Sequence, residues 1–200
     1  MENKKIALIL NLSIIILSII GFKLAFETIG IETFTYYTED SNLLLLIASC
    51  IFSIYLFFDI DIPNWLKDLK YTATVSVTIT LLVVLFVLSW MLPNGLIYLL
   101  TYKSMLYHHT LCPILAIISF ICFENYNLKE TRIIKSLYFT AIYAIILISL
   151  NILKIVNGPY PFLKVYMQPF WISIMWIVVI FGFAYIIAYI LKKLKEKVII

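Results

Sequence analysis

Long apolar stretches alternate with short polar segments along the whole chain, and this pattern predicts membrane-crossing helices. Each stretch runs for about 20 residues, the length that an α-helix needs to cross the hydrocarbon core of a bilayer. A transmembrane β-strand would be about half as long and would alternate apolar with polar residues. We therefore expect an all-α polytopic membrane protein, a single domain over residues 1–200 whose six transmembrane helices form one bundle. The predicted spans are residues 6–26, 41–58, 72–92, 105–123, 136–156 and 170–191.

The composition excludes an ordinary water-soluble domain. Hydrophobic residues make up 64% of the 200 residues and charged residues only 13%, and the mean hydropathy is +1.04. The net charge of +4 comes from basic residues that flank the spans, so we expect no nucleic-acid partner. The 3 cysteines lack CxxC spacing and there are only 2 histidines, so we expect neither a metal nor another cofactor.

The lysines and arginines are distributed unevenly between the two sides of the predicted spans. Most of the 15 lie at the N-terminus, at the C-terminus and in the second and fourth loops. Basic residues concentrate on the cytoplasmic side of membrane proteins. We therefore predict that both termini are cytoplasmic and that the protein is a multi-pass protein of the cell membrane. The lysines of residues 192–197 are interpreted as a stop signal and a contact for anionic lipids, and spans one, five and six are expected to direct no charge inward.

Residues 72–80 alternate hydroxyl and apolar side chains as a β-strand does. A lone strand would leave its backbone unpaired in lipid, so we predict a helix here. On that helix Thr72, Ser76 and Thr80 share one face, and Thr74 and Thr78 share another. Two interpretations stay open: the hydroxyls pack helices against one another, or they line a path for a substrate.

Both histidines, His108 and His109, lie near the start of predicted span four. Ionisable residues inside membrane segments are costly and suggest a function by default, and imidazole can accept and give a proton near neutral pH. Pro113 lacks an N–H, which in an α-helix removes the usual donor from the carbonyl of His109. The alternative interpretation is a pair of interfacial histidines beside a tolerated kink.

A cluster of polar residues begins span two at the membrane face where His108 is expected. A threonine hydroxyl is a weak nucleophile and needs an adjacent base. Thr38 would be the nucleophile, His108 its base, and Asn42 an oxyanion donor or an orienting group on the face shared with Ser41. Alternatively, Thr38 is the N-cap of span two, with Asp40 and Ser41 in the first turn.

Three short motifs resemble a known family. Residues 37–44, YTEDSNLL, resemble the Phe-Thr-x-x-Ser-Asn-Leu-Leu pattern of bacterial six-span membrane proteins of the Pr6Pr type. Residues 108–113, HHTLCP, are similar to that family's His-Thr-Thr-x-x-Pro, and residues 160–163, YPFL, match its Tyr-Pro-Phe-Leu segment before the last span. The motifs occur in the same order and at the same predicted face over nearly the whole chain.

That bacterial family resembles in turn the eukaryotic androgen-induced protein and androgen-dependent TFPI-regulating protein family. These are six-span hydrolases that cleave fatty acid esters of hydroxy fatty acids with a threonine nucleophile and a histidine. The resemblance implies Thr38 as the nucleophile and His108 as the base, or His109 if the His-to-Pro spacing slips by one. It also brings in Tyr160 as a supporting residue. The acidic residues 39–40 depart from the apolar residues that we expect after the threonine.

The expected function is hydrolysis of a lipid (fatty-acyl) ester near the outer leaflet, with membrane lipids and the ester as partners. The alternative is a non-enzymatic solute-binding or transport component, in which Glu39, Asp40 and His108 hold a cationic or hydrogen-bonding ligand at the outer mouth. The distance from the Thr38 hydroxyl to the nearest histidine nitrogen bears directly on this choice, since a general base must come within about 2.6–3.2 Å, directly or through a water.

Overall fold

The chain forms six apolar helices that are each long enough to cross a membrane, as the sequence predicts. The structure is a computed structural model that describes residues 2–91, 94–128 and 132–198. Within these ranges it consists of helices and connecting segments and has no β-strand. Spans one to six are Glu2–Thr35, Tyr37–Phe57, Asn64–Met91, Leu106–Phe123, Arg132–Ile152 and Phe170–Val198.

We name the two ends of the bundle after the side chains that lie there. The histidine end holds Thr38, His108 and His109, and the lysine end holds Lys70 and Glu124. Short connections place consecutive helices antiparallel to each other. Spans one, three and five therefore run from the lysine end to the histidine end, and spans two, four and six run back.

Span two begins earlier than its apolar stretch suggests. Its helix starts at Tyr37 rather than at residue 41, directly after Tyr36, which has an extended backbone (φ −98°, ψ 128°). Glu39 and Asp40 lie in the first turn, where the positive end of the helix dipole favours carboxylates. The polar residues that resemble a loop in the sequence therefore belong to the helix.

Span three is the most buried of the six and contacts spans two, four, five and six. It begins at Asn64, well before the predicted residue 72, and follows Pro63. Proline is common at helix starts because no helical donor is needed there. The predicted end of this span at Leu92 lies outside the described residues.

The hydroxyl residues of span three are helical, as the membrane environment requires. Thr74 donates to the carbonyl of Lys70 at 2.9 Å, and Thr78 donates to that of Thr74 at 2.7 Å. Thr80 lies 3.0 Å from the hydroxyl of Ser41 on span two. The contact between Thr80 and Ser41 agrees with the packing interpretation, but Thr80 also lines a cavity, so the path for a substrate stays open as the alternative.

A buried charge network joins the spans at the lysine end. Lys70 Nζ lies 3.6 Å from Glu124 Oε1, and both side chains have no exposed surface. Glu124 also accepts hydrogen bonds from Ser119 at 2.8 Å and from Tyr126 at 2.9 Å. Buried charges are tolerated only when paired and hydrogen-bonded in this way.

Lys195 lies inside the protein, although residues 192–197 are predicted to be a stop signal and a contact for anionic lipids. This lysine is 1% exposed and donates to the carbonyl of Phe120 at 2.7 Å and to that of Glu124. Both carbonyls lie where span four ends, and the last carbonyls of a helix have no partner within it. Lys192 is equally buried. Span six therefore directs charge into the bundle, contrary to the prediction.

Candidate active site

Thr38 lies in the first turn of span two with its hydroxyl inside the protein. The residue in the capping position is Tyr36, in an extended conformation, so the alternative prediction that Thr38 caps the helix is wrong. Thr38 is only 7% exposed. Its hydroxyl is directed toward span four instead of toward the backbone of its own helix.

His109 is the histidine that meets Thr38. Its Nε2 lies 3.3 Å from Thr38 Oγ1, and its Nδ1 lies 2.7 Å from the carbonyl oxygen of Leu99. A carbonyl can only accept, so Nδ1 carries the proton, and Nε2 of the neutral ring presents its lone pair to Thr38. This is the tautomer that a general base for Thr38 requires.

A short helix between spans three and four, Gly95–Thr101, supplies the carbonyl that holds His109. Leu99 and Leu100 lie in its last turn, where the carbonyls have no partner in the helix. Thr110 donates to the carbonyl of Leu100 at 2.9 Å, beside the bond from His109 to Leu99. In a serine–histidine–aspartate triad an aspartate occupies the corresponding position at Nδ1.

The structure pairs His108 with Glu39 and does not form the predicted Thr38–His108 pair. His108 Nδ1 lies 2.6 Å from Glu39 Oε2, and His108 Nε2 donates to the carbonyl of Ser18 at 3.2 Å. Nε2 must carry a proton to bond to a carbonyl, and one further proton is shared between Nδ1 and the carboxylate. Both ring nitrogens are therefore occupied, and neither can take the proton of Thr38.

Span one makes room for His108. A methyl group on Gly21 would overlap the His108 ring, so glycine permits the close approach of the two helices. Phe22 packs edge-on against the same ring, with 4.6 Å between the ring centres. His108 is fully buried and acts as an anchor between spans one, two and four.

A π-helical turn over Leu106–Leu111 lets two consecutive histidines both face the interior. The N–H of Cys112 bonds to the carbonyl of Tyr107, five residues back, where an α-helix would bond four residues back. Such wide turns often occur at functional sites. Here the turn directs His108 toward Glu39 and leaves the adjacent histidine facing Thr38.

The same turn changes which carbonyl Pro113 leaves without a donor. In the π register the missing N–H falls opposite the carbonyl of His108, one residue before the carbonyl predicted from an α-helix. Asn42 Nδ2 donates to this carbonyl at 3.0 Å and to the carbonyl of Thr38 at 2.8 Å. Both amide hydrogens are used, so of its two predicted roles Asn42 takes the orienting one.

Ser41 and Asp40 occupy the same first turns of span two. Ser41 Oγ donates to the carbonyl of Thr38 at 2.9 Å and so fixes the turn that carries the nucleophile candidate. Asp40 is partly exposed, whereas Glu39 is buried. Of the two carboxylates expected together at an outer mouth, only Asp40 reaches the surface.

Tyr160 of the YPFL motif approaches Thr38 from the connection between spans five and six. It is 8% exposed and stacks on Phe162, with 5.1 Å between the ring centres. Burial raises the pKa of the Tyr160 phenol, and hydrogen bonding to the side chain and backbone of Thr38 lowers it in part. The phenol is therefore neutral, and its oxygen lies within hydrogen-bonding reach of Thr38.

A cavity of about 460 Å³ opens beside Thr38 and Tyr160. Its walls come from spans two, three, five and six and from residues 160–166. Apart from a few hydroxyls, the lining side chains are aliphatic or aromatic. The volume is in the range of small-molecule sites, which are typically apolar with a few placed polar groups.

No family model, curated protein or solved structure matches the chain. In the part of the chain that the structure describes, no three histidine, cysteine or acidic side chains are grouped so that they could hold a metal ion. The functional assignment accordingly depends on the geometry around Thr38.

The sequence gives unequal information on the two partners of the histidines. Leu99 contributes only a backbone carbonyl, which leaves no signal in the side-chain pattern. For Glu39 the sequence leaves two interpretations open, a carboxylate close to a histidine or a ligand for a solute. Its position next to Thr38, opposite a buried histidine on another span, was the available signal for an internal pair.

Proposed function

We propose that the protein is an integral-membrane hydrolase of lipid esters, with Thr38 as the nucleophile and His109 as the general base. One observation carries the proposal: Thr38 Oγ1 lies 3.3 Å from His109 Nε2 while Leu99 holds the opposite nitrogen. The motifs that resemble the Pr6Pr-type proteins, and through them the androgen-induced protein family, support the same reaction. Relationship to that family is part of the proposal, with the base moved by one residue.

In the first step, Thr38 Oγ attacks the carbonyl carbon of the ester, and its proton passes to His109 Nε2. The carbonyl electron pair moves onto oxygen, and the hydroxyl of Tyr160, which lines the same cavity as Thr38, donates to this oxyanion. The imidazolium of His109 keeps its Nδ1–H bond to Leu99, near the negative end of the short helix. General base catalysis of this kind contributes about 10²–10⁴-fold.

In the second step, the bond from the carbonyl carbon to the alcohol oxygen breaks, and His109 protonates the leaving alcohol. The acyl group remains on Thr38 as an ester. A water molecule then attacks this ester and gives its proton to His109, which returns it to Thr38 Oγ as the carboxylic acid leaves. Ester and water are consumed, and acid and alcohol are formed.

The lipid character of the substrate is supported by the apolar cavity beside Thr38 and by the six apolar spans. The excess of basic residues at the lysine end supports cytoplasmic termini. With that orientation the histidine end lies toward the outer leaflet of the cell membrane, and the substrate is a lipid of that leaflet.

The test compares Thr38→Ala and His109→Ala with the wild type in hydrolysis of p-nitrophenyl octanoate in detergent micelles. Each variant should lose at least about 100-fold in kcat/KM and should lose labelling by a fluorophosphonate probe. Thr28→Ala, at an exposed threonine of span one, is the matched control and should behave as wild type. Size-exclusion profiles and thermal unfolding check that each variant is folded.

The outcomes separate the candidate bases and the two classes of function. Activity retained in folded Thr38→Ala refutes the mechanism. Activity lost in folded His108→Ala but kept in His109→Ala returns the base to His108. A wild-type protein that cleaves no ester but is stabilised by a solute would be better assigned as a binding or transport component.

A further inference from the structure

Spans five and six form a gap on the side of the bundle. They contact each other near the lysine end, through Arg132–Lys135. Toward the histidine end, the cavity lies between them, with Ala144 and Ile148 on one wall and Ile174 and Ile177 on the other. Two neighbouring spans that separate in this way leave a slot facing the lipid.

The length of the slot matches one leaflet. Lining side chains on span six extend from Phe170 to Phe181, a helix length of roughly 16 Å at 1.5 Å per residue. The hydrocarbon core of a bilayer is about 30 Å thick, so the slot covers about half of it. A chain that lies in the slot therefore spans the depth of a single leaflet.

The connection between spans five and six lies at the histidine end of the slot. Tyr166 donates from its hydroxyl to the carbonyl of Ile152 at 2.6 Å, and Gln168 donates to the carbonyl of Phe162 at 3.1 Å. These bonds hold the connection together and against the end of span five. The gap between spans five and six, by contrast, lies along the side of the bundle.

The walls of the slot favour an alkyl chain, because most of their side chains are aliphatic or aromatic. Burying a polar ligand along aliphatic walls without hydrogen-bond partners costs several kcal/mol. The hydroxyls of Thr38 and Tyr160 are the polar groups beside the proposed reaction centre. An ester or carboxyl group fits there, and hydrocarbon fits the remainder.

We propose that the slot is the binding site for a lipid acyl chain, which enters sideways from the bilayer between spans five and six. This proposal rests on the proposed function for the position of the ester at Thr38. Ala144 is the smallest side chain that lines the slot and determines how long a chain fits. The adjacent Ile145 is 66% exposed and faces the lipid.

Filling the slot should shift the chain-length preference. Ala144→Phe places a ring in the space of the chain, so long chains lose contacts that short chains never make. Each methylene excluded from an apolar site changes affinity about fourfold, so exclusion of two lowers kcat/KM on the order of tenfold. We expect this loss for p-nitrophenyl palmitate relative to p-nitrophenyl butyrate. Ile145→Phe adds a ring on the lipid side and should leave the ratio unchanged.

A second measurement does not require turnover. Palmitic acid that carries a diazirine at its methyl end is photo-crosslinked to the Thr38→Ala variant in micelles, and the labelled peptides are identified by mass spectrometry. We expect labels on slot-lining residues of spans five and six, competition by unlabelled palmitate, and loss of these labels in Thr38→Ala/Ala144→Phe.

The acyl-chain site and the hydrolase mechanism can be refuted independently of each other. If the wild type cleaves the butyrate ester through Thr38, but Ala144→Phe keeps the wild-type ratio and the labels lie on lipid-facing residues, the acyl-chain site is refuted and the hydrolase stands. If Thr38→Ala keeps its activity while the labels lie in the slot, the hydrolase mechanism is refuted and the acyl-chain site stands. Labels that unlabelled palmitate does not displace also refute the site.

Discussion

Breaking the Glu39–His108 pair should be among the most destabilising single changes in the bundle. Glu39→Ala leaves His108 fully buried with nothing at Nδ1, and His108→Ala leaves the Glu39 carboxylate in the same position. Removal of one member of a buried pair costs about 3–5 kcal/mol, because the remaining member stays desolvated. The separation of 2.6 Å is that of a strong, charge-assisted hydrogen bond.

The double variant Glu39→Ala/His108→Ala should lose less stability than the two single variants together. Neither polar group is then left alone, so the coupling between the positions measures the pair itself. A hydrogen bond to a charged group contributes about 1.5–3 kcal/mol, and we expect a coupling free energy of that size. Glu39→Gln keeps a group that can bond to His108 Nδ1 and should lose less than Glu39→Ala.

The free energy of unfolding can be measured by titration with sodium dodecyl sulfate in mixed micelles. Glu32→Ala, at an exposed glutamate near the same end, is the control and should change stability little. Additive losses, with a coupling below about 0.5 kcal/mol, would show that the pair is not formed. Folded Glu39→Gln should still hydrolyse esters, since Thr38 and His109 remain in place, and a complete loss would contradict the assignment of the base.

Two further substitutions test the oxyanion donor and the lysine end. Tyr160→Phe should lower kcat by about 10²–10³-fold with little change in KM, because the phenol bonds to the oxyanion more strongly than to the ester. Steady-state kinetics measure both constants. An unchanged kcat would show that Tyr160 is not the oxyanion donor. Lys70→Met leaves Glu124 without the ammonium at 3.6 Å and should cost about 3–5 kcal/mol in the same unfolding assay. Lys70→Met/Glu124→Gln should recover part of this loss, and no recovery would mean that the charge pair is not the cause.

The positions of the six spans could be predicted because lipid imposes a length and a composition on each helix separately. The first residue of each helix was harder to predict than the position of its apolar stretch. The first turn of span two carries Glu39, Asp40 and Ser41, which resemble a loop by hydropathy. They are helical because the positive end of the helix dipole favours the two carboxylates. In addition, Glu39 bonds to His108, and Ser41 bonds to the carbonyl of Thr38.

The neighbourhood of Thr38 and the two histidines was predictable, but the partner of each histidine was not. Residue spacing places His108 and His109 at the start of span four with Thr38 at a similar depth. The choice between them depends on a π turn over Leu106–Leu111, which shifts the register by one residue. Asn42, a residue on another span, donates to the carbonyl that Pro113 leaves without a donor in this turn.

The location of the lysines of span six could not be predicted from the sequence either. A run of lysines at a helix end is compatible with solvent, with lipid headgroups and with the protein interior. Lys195 is internal because span four ends beside it, and the lysine donates to the carbonyls of Phe120 and Glu124 there. Only the relative placement of the two spans reveals this, and hydropathy contains no information about it.

The bond from Lys195 to the end of span four also affects how the protein is made. Span four is synthesised before span six, so the carbonyls of Phe120 and Glu124 precede the lysine that donates to them. The lysine end is therefore complete only when span six has packed against span four.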